Sequence, residues 1–429
     1  MDTPKVLTSL FLFVFSSSNA FAELKAISDT EMSDISGQAY VSIDKAYHPT
    51  EQDISYTRVN LGMMIETQMS AEKLELGTYH RWEKHPTNSN LNGTACHTCN
   101  GSEIGLEAIG SDILAENFTL GYIHSDAYQN KYSSVPMVAK GFDKYGRVIN
   151  YKDGDIVPME INDPFFEFAY DEATNEVIGL RVGFGDAKGM LSGNILGLTG
   201  AIDINIRDGV EELSEARDKQ EGNIIESALT LLTPLLVAGG DLSAQAVLTD
   251  EHGNLDPVRA STIGMANGSE FKIAGADFLA AAAVPILSDI GLLGSDSRSE
   301  FSSLFGCGLF GLLSCFDIYV QSEDCAMLGI PTCFPLNNFK SLPIGKVEEI
   351  NGQQYITDTV SGVFMSFQNR DVDWSTGPAG DQAMNEFVRA TSGAFMNIPT
   401  GAVKVNLSEV YNGVESTRLE YIDRGRGLF

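Results

Sequence analysis

One short pattern is written twice in this chain, 200 positions apart, and it ties two distant segments to one kind of structure. Residues 192–206 read SGNILGLTGAIDINI, and residues 392–407 read SGAFMNIPTGAVKVNL. With Pro399 taken as an insertion, both follow Ser-Gly-x-Φ-Φ-x-Φ and then Thr-Gly-Ala-Φ-x-Φ-Asn-Φ, where Φ is apolar. The continuations match as well, Asp208-Gly209-Val210-Glu211 against Asn412-Gly413-Val414-Glu415. A partial third copy runs Ser361-Gly362-Val363-Phe364-Met365-Ser366-Phe367. Repeated segments take equivalent places in a fold, so the pattern speaks about architecture. Its apolar positions alternate with polar ones, the period of a strand with one buried face. None of its residues is a metal ligand or an acid–base pair in company, so it reads as scaffold.

The neighbouring sequence has the same texture. Val177 to Phe184 alternates, and the expectation is that Ile178, Leu180, Val182 and Phe184 face the core while Gly179, Arg181 and Gly183 face water. Phe166, Phe168 and Tyr170 make a second stripe, with a turn over Asp171 to Glu176. Ile202, Ile204 and Ile206 alternate with Asp203, Asn205 and Arg207. Hairpin signals stand at Asp143-Lys144-Tyr145-Gly146 and Lys152-Asp153-Gly154. A smaller echo links Leu76-Gly77-Thr78-Tyr79-His80 with Leu120-Gly121-Tyr122-Ile123-His124.

After Arg207 the pattern changes. Ile225, Ala228, Leu229, Leu232 and Leu236 follow helical spacing, so 209–233 is expected to be helical, with Pro234 near its end. Asp241 to Ile273 reads as a hairpin around Glu251-His252-Gly253-Asn254. Ala276 to Leu293 is Ala-rich and reads as a helix interrupted at Pro285. The β texture resumes near Ile344. The fold class expected is therefore mainly β with an inserted α-helical region, an antiparallel sheet sandwich or a β-solenoid-like stack, with a barrel as a further arrangement. The last residues, Ile422 to Leu428, lack the alternation of a membrane-barrel strand. The expected division is a signal peptide over 1–22, a short N-terminal helical motif over 23–38 and a β-rich region over 39–207. A helical, Cys-bearing insertion follows over 208–339, and a β-rich region over 340–429 completes the sheet system.

The signal peptide rests on Lys5, an apolar run from Val6 to Phe15 broken at Thr8 and Ser9, and the small-x-small site Ala20-Phe21-Ala22. The run is too short to span a bilayer. Export to the periplasm, the outer surface or the medium is the expected localisation. Downstream, Ser28-Asp29-Thr30-Glu31 has the form of a capping box, Met32 and Ile35 share a face, and Gly37 can end the turn before Gln38. Glu31-Met32-x-x-Ile35-Ser36-Gly37 resembles the double-glycine leader of exported peptides, departing from it at Gln38. The Ser28–Gln38 segment resembles more closely the mature start of a loosely defined set of exported bacterial proteins, some described as linked to fimbriae or pilus assembly. That resemblance implies an exported, surface-associated protein and names no chemistry.

Charge narrows the partners. A formal net charge of −30 disfavours nucleic acid and anionic membrane surfaces, both of which need a basic face. No later stretch has the run of about 20 apolar residues that a spanning helix needs. Six cysteines in an oxidising compartment fall into close pairs, Cys96 with Cys99, Cys307 with Cys315 and Cys325 with Cys333, so three local disulfides are the simplest framework.

Catalytic signals are sparse. Tyr79-His80-Arg81-Trp82-Glu83-Lys84-His85 followed by Cys96-His97-Thr98-Cys99 offers ligands that can hold zinc, but haem attachment fails because Asn100 follows the second cysteine. A small disulfide-closed loop is the simpler reading. Asp371-Val372-Asp373-Trp374 has the look of a sugar-binding edge, and more simply of a solvated strand face. The turns from Asp143 to Asp155 lack the order of a calcium loop. There is no nucleophile elbow, zinc-protease motif or P-loop. The expectation is a non-enzyme without metal or cofactor. Leu304, Phe305, Leu309, Phe310, Leu313 and Phe316 form a candidate apolar ligand or interface patch, or alternatively a buried element pinned by Cys307 and Cys315. The function expected is an exported structural or adhesive surface protein acting through protein partners or self-association. A hydrophobic-ligand (lipid) carrier and a secreted hydrolase of unrecognised motif are its rivals.

Overall fold

The computed structural model describes residues 41–83, 106–133, 135–209, 241–276, 278–289, 293–307, 313–327, 330–377, 387–406, 409–410 and 413–417. The expected signal peptide, the Ser28–Gln38 motif, the loop carrying His85, Cys96, His97 and Cys99, and the expected helix from residue 210 onward lie outside these residues.

The main strands, in chain order, begin with β1 (Val41–Tyr47), β2 (Ile54–Leu61), β3 (Met69–Leu76), β4 (Tyr79–Glu83), β5 (Leu106–Gly110) and β6 (Ile113–Leu120). Next come β7 (Met159–Asp171), β8 (Glu176–Leu198), β9 (Gly200–Gly209), β10 (Asp241–Thr249) and β11 (Glu270–Ala276). After the helix α1 (Phe278–Asp289) follow β12 (Arg298–Cys307), β13 (Leu313–Gln321), β14 (Ser341–Ile344) and β15 (Phe364–Gln368). The last are β16 (Val372–Ser375), β17 (Phe387–Ala390) and β18 (Gly393–Val405).

β8, 23 residues long, is the spine of the sheet. One of its edges takes β7 and then β6, and the other takes β15, Val360–Ser361 and β14, all antiparallel. Beyond β7 the ladder continues through β2 to β1. Beyond β15 it continues through β18, β9, β10, β11 and β13 to β12. Strands from both ends of the chain thus interleave, and the product is a predominantly β structure with mixed sheets and one helical insertion. Between 208 and 339 the described residues hold α1 and also β10 to β13, which extend the sheet.

The two copies of the repeat become neighbours. β9 and β18 pair in parallel, with Ile202 beside Ile398, Ile204 beside Val403 and Ile206 beside Val405. Pattern alignment would set Ile202 against Val403 and Ile204 against Val405, so the pairing is offset by five residues before the register shift and by two after it. The offset of two keeps every side chain on its own face, and all six residues stay buried. The extra Pro399 falls where the register shifts between Ile202 and Ile204, a bulge that accommodates a residue lacking N–H. The smaller echo is also structural. Gly77 and Gly121 each follow a strand end and each take φ +69°, a left-handed turn that suits glycine.

Ile178 is buried as expected, but beyond the register irregularity beside it the sidedness expected for β7 and β8 is reversed. Gly179, Arg181 and Gly183 are buried, whereas Leu180, Val182 and Phe184 are only partly so. On β7, Phe165, Glu167 and Ala169 face inward, and Phe166 is 43 % exposed. The reason is steric. A Cβ on Gly183 would lie 2.1 Å from Cζ of Phe165, and one on Gly179 would lie 2.9 Å from Cζ2 of Trp374. The glycines supply space for these rings, so the face that looks polar in sequence is the packed one. The other face carries a row of apolar side chains, Ile43, Val59, Phe166, Val182 and Met365, opposite one another across β1, β2, β7, β8 and β15.

Candidate functional site

On the inward face the cross-strand row reads Asp44, Arg58, Glu167, Arg181 and Ser366. Asp44 accepts a hydrogen bond from Asn60 Nδ2 at 2.6 Å. Arg58 Nε donates to Glu167 Oε1 at 3.0 Å, and Arg181 Nη2 donates to Glu167 Oε2. Arg181 Nη1 also donates to the Ser375 carbonyl at 2.6 Å. All three charged residues are at least 95 % buried, with Arg181 only 1 % exposed.

Aromatic rings hold the cations in place. The guanidinium carbons of Arg58 and Arg181 lie 4.2 and 5.2 Å from the centroid of Phe165. Arg181 also lies 4.9 Å from the Phe364 ring and 5.0 Å from Trp374. Burial pulls the Arg181 guanidinium down to about 10, opposed by the Glu167 carboxylate and reinforced by the neighbouring Arg58. Two buried atoms of the cluster, Arg58 Nη2 and Arg181 Nε, have no hydrogen-bond partner. A buried unmet donor costs about 1–3 kcal/mol, more when charged, so this arrangement is not optimal as a purely structural ion cluster.

A cavity of about 420 Å³ opens beside the two arginines. Its lining includes Phe165, Phe184 and Phe364, the hydroxyl residues Ser361, Ser375 and Thr376, and the acids Asp163 and Asp186. Sequence reading placed Arg181 on a wet face and did not single out Arg58 or Glu167. The available signal was Gly179-Leu180-Arg181-Val182-Gly183, a charge with glycine two positions away on each side of the same face.

A second cleft, of about 340 Å³, is lined by His48, Tyr56, Arg370, Asp371, Asp373 and Arg389. His48 Nδ1 accepts the Glu51 N–H at 2.9 Å, which leaves Nε2 facing Asp373 at 3.8 Å. Tyr56 donates its hydroxyl to the Asp373 carbonyl at 2.5 Å, and burial raises its pKa above the ordinary value. The acids of the Asp371-Val372-Asp373-Trp374 stretch both face Arg389, while Val372 and Trp374 are buried. Of the histidines raised by sequence, His124 is buried beside Asp126 at 3.2 Å, and the His80 side chain lies outside the described residues. In the Asp143 turn the carboxylate is occupied by the Tyr145 and Arg147 N–H groups.

The cysteine framework forms where it is described. Cys307 is bonded to Cys315 and Cys325 to Cys333, consistent with an extracytoplasmic environment. The candidate apolar patch is split. Leu304 and Phe305 are exposed, Phe316 is half-buried, Leu309 and Phe310 lie outside the described residues, and so does the side chain of Leu313. Leu304 and Phe305 stand near the tip of the β12–β13 hairpin, which the Cys307–Cys315 bond closes. Phe316 gathers Phe301 and Phe278 around it, at centroid distances of 5.8 and 6.1 Å. With Leu279 and Ile286 of α1, the exposed members of this ridge are between 54 and 69 % accessible.

Residues 1–98 match a family of unknown function, DUF6160. Arg58 lies within that span, whereas Glu167, Arg181 and the apolar ridge lie beyond it. No curated protein and no solved structure matches the chain. Among the described residues, no helix is long and apolar enough to cross a membrane.

Proposed function

We propose that this is an exported structural or adhesive protein that acts through contacts with further copies of itself. The observation that carries the reading is the disulfide-closed ridge, with Phe278, Leu279, Ile286, Phe301, Leu304 and Phe305 all more than half exposed. Apolar side chains exposed on a helix and hairpin that are joined through the Phe278, Phe316 and Phe301 ring contacts are the kind of surface that marks an interaction site. Residues lining an enclosed lipid tunnel would be shielded, so their exposure favours a contact surface over a carrier. Two local disulfides and the resemblance of Ser28–Gln38 to exported, partly fimbria-linked proteins support placement outside the cytoplasm.

The charge sets the conditions for association. A chain of net charge −30 repels its copies at low salt, while the apolar ridge attracts at short range. Self-association should therefore strengthen as salt rises, the opposite of binding to a basic partner. Sedimentation velocity across concentration and ionic strength tests this. Reversible oligomers at high salt, lost in Leu304→Ser/Phe305→Ser, support the reading. A monomer under every condition overturns it.

A further inference from the structure

The cavity beside the arginine pair has a chemistry of its own, independent of the apolar ridge. We infer that it binds a small zwitterion, a molecule carrying a carboxylate and, nearby, an ammonium group.

The carboxylate end follows from the cluster. Two guanidiniums share one carboxylate, leaving one positive charge in excess among Arg58, Glu167 and Arg181. Arg58 Nη2 and Arg181 Nε are buried and without a hydrogen-bond partner, and both arginines line the cavity. Guanidinium N–H groups match the geometry of a carboxylate acceptor, and in a low-dielectric site such a pair is strong. The donors sit on β2 and β8, held in register by β7 and packed on Phe165, so they are placed before any ligand arrives.

The ammonium end follows from the acids. Asp163 and Asp186 line the same cavity, and neither is ion-paired with Arg58 or Arg181. They oppose entry of a phosphate or any other dianion, and they attract a cationic group. Phe165, Phe184, Val363 and Phe364 provide apolar wall for the body of the ligand. A volume of about 420 Å³ admits a free amino acid and falls at the small end of ligand pockets.

The test uses the full chain with Trp82→Phe, so that Trp374, 5.0 Å from the Arg181 guanidinium, is its one tryptophan reporter. Phenylalanine and alanine are titrated against phenylpropionate, phenethylamine and inorganic phosphate. At least one amino acid is expected to give a saturable fluorescence change, with a Kd between about 10 µM and 1 mM. Phenylpropionate and phenethylamine should bind at least about tenfold more weakly than phenylalanine, and phosphate should give no saturable change. Asp186→Asn, at the cavity wall rather than in the buried cluster, should abolish the preference for phenylalanine over phenylpropionate, with an unchanged circular-dichroism spectrum. Absence of saturation with both amino acids overturns the inference. Phosphate binding as tight as phenylalanine, or an Asp186→Asn chain that keeps the preference, overturns it equally.

Discussion

Arg181 lies directly across the β7–β8 ladder from Glu167, and the two are joined by a charge-assisted hydrogen bond in a site almost without solvent. Arg58 occupies the next place in the same row and binds the other carboxylate oxygen. A buried charge of this kind is tolerated only while its counter-charge is present.

Glu167→Gln should therefore be severe, because it leaves two buried cations without an anion. The expected loss is about 3–5 kcal/mol, read from urea unfolding midpoints. Replacing the three together, with Arg58→Met, Glu167→Leu and Arg181→Met, should cost less than the single change. A triple variant that is the less stable of the two would mean that the cluster is a net stabiliser.

Gly183→Ala places a methyl group on the Phe165 ring and should destabilise by about 1–3 kcal/mol. Gly197, on the same strand, has open space where a Cβ would stand, so Gly197→Ala should be close to neutral. Thermal unfolding of the two variants side by side separates the steric effect from any general cost of altering β8.

Each described disulfide closes a short loop, with its cysteines eight positions apart. Loop-closure entropy puts each at about 2–3 kcal/mol. Paired Cys→Ala substitutions at 325 and 333, or at 307 and 315, should lower the unfolding midpoint accordingly. The 307/315 pair should also weaken self-association, because it holds the base of the ridge.

Acid should unfold the protein through its turn carboxylates. The Arg147 N–H and side chain hold Asp143 below the usual carboxylate range, and the Tyr145 N–H assists. Asp155 is lowered first by the Lys152 N–H. Asp171 is lowered by the Thr174 N–H, then by Arg370 and the Ala173 N–H. A carboxyl whose pKa is depressed on folding contributes stability above its unfolded pKa and loses it as pH falls through the folded value. Thermal midpoints should thus hold steady above about pH 5 and fall below about pH 4, with a shallower fall in Asp171→Asn. An Asp171→Asn profile parallel to that of the parent chain would remove Asp171 from the cause.

Much of the strand content was legible because alternation and turn chemistry are local. Ile202, Ile204 and Ile206 are buried as their spacing predicts, and the Asp171 to Glu176 turn falls where its residues place it. The Asp143 turn carries a hairpin, with Gly141–Phe142 paired to Val148–Ile149. The candidate cavity was not legible in the same way. Its residues come from β2, β7, β8, the Ser361–Phe364 segment leading into β15, and the end of β16 with the turn after it, and no local pattern states that these segments meet.

By itself, then, the sequence determined a chain of strands with a scaffold pattern written twice and cysteines spaced for local bonds. Alternation divides a strand into two faces, but it does not say which face will be covered. The tertiary structure decided that, because Phe165 and Trp374 bring their rings over Gly183 and Gly179 and enclose Arg181 between them. It also decided that the two copies of the pattern lie side by side in parallel, a pairing that depends on β15, β18 and β9 assembling in order. Both outcomes rest on contacts between residues far apart in the chain, where packing volume and burial of charge outweigh local preference.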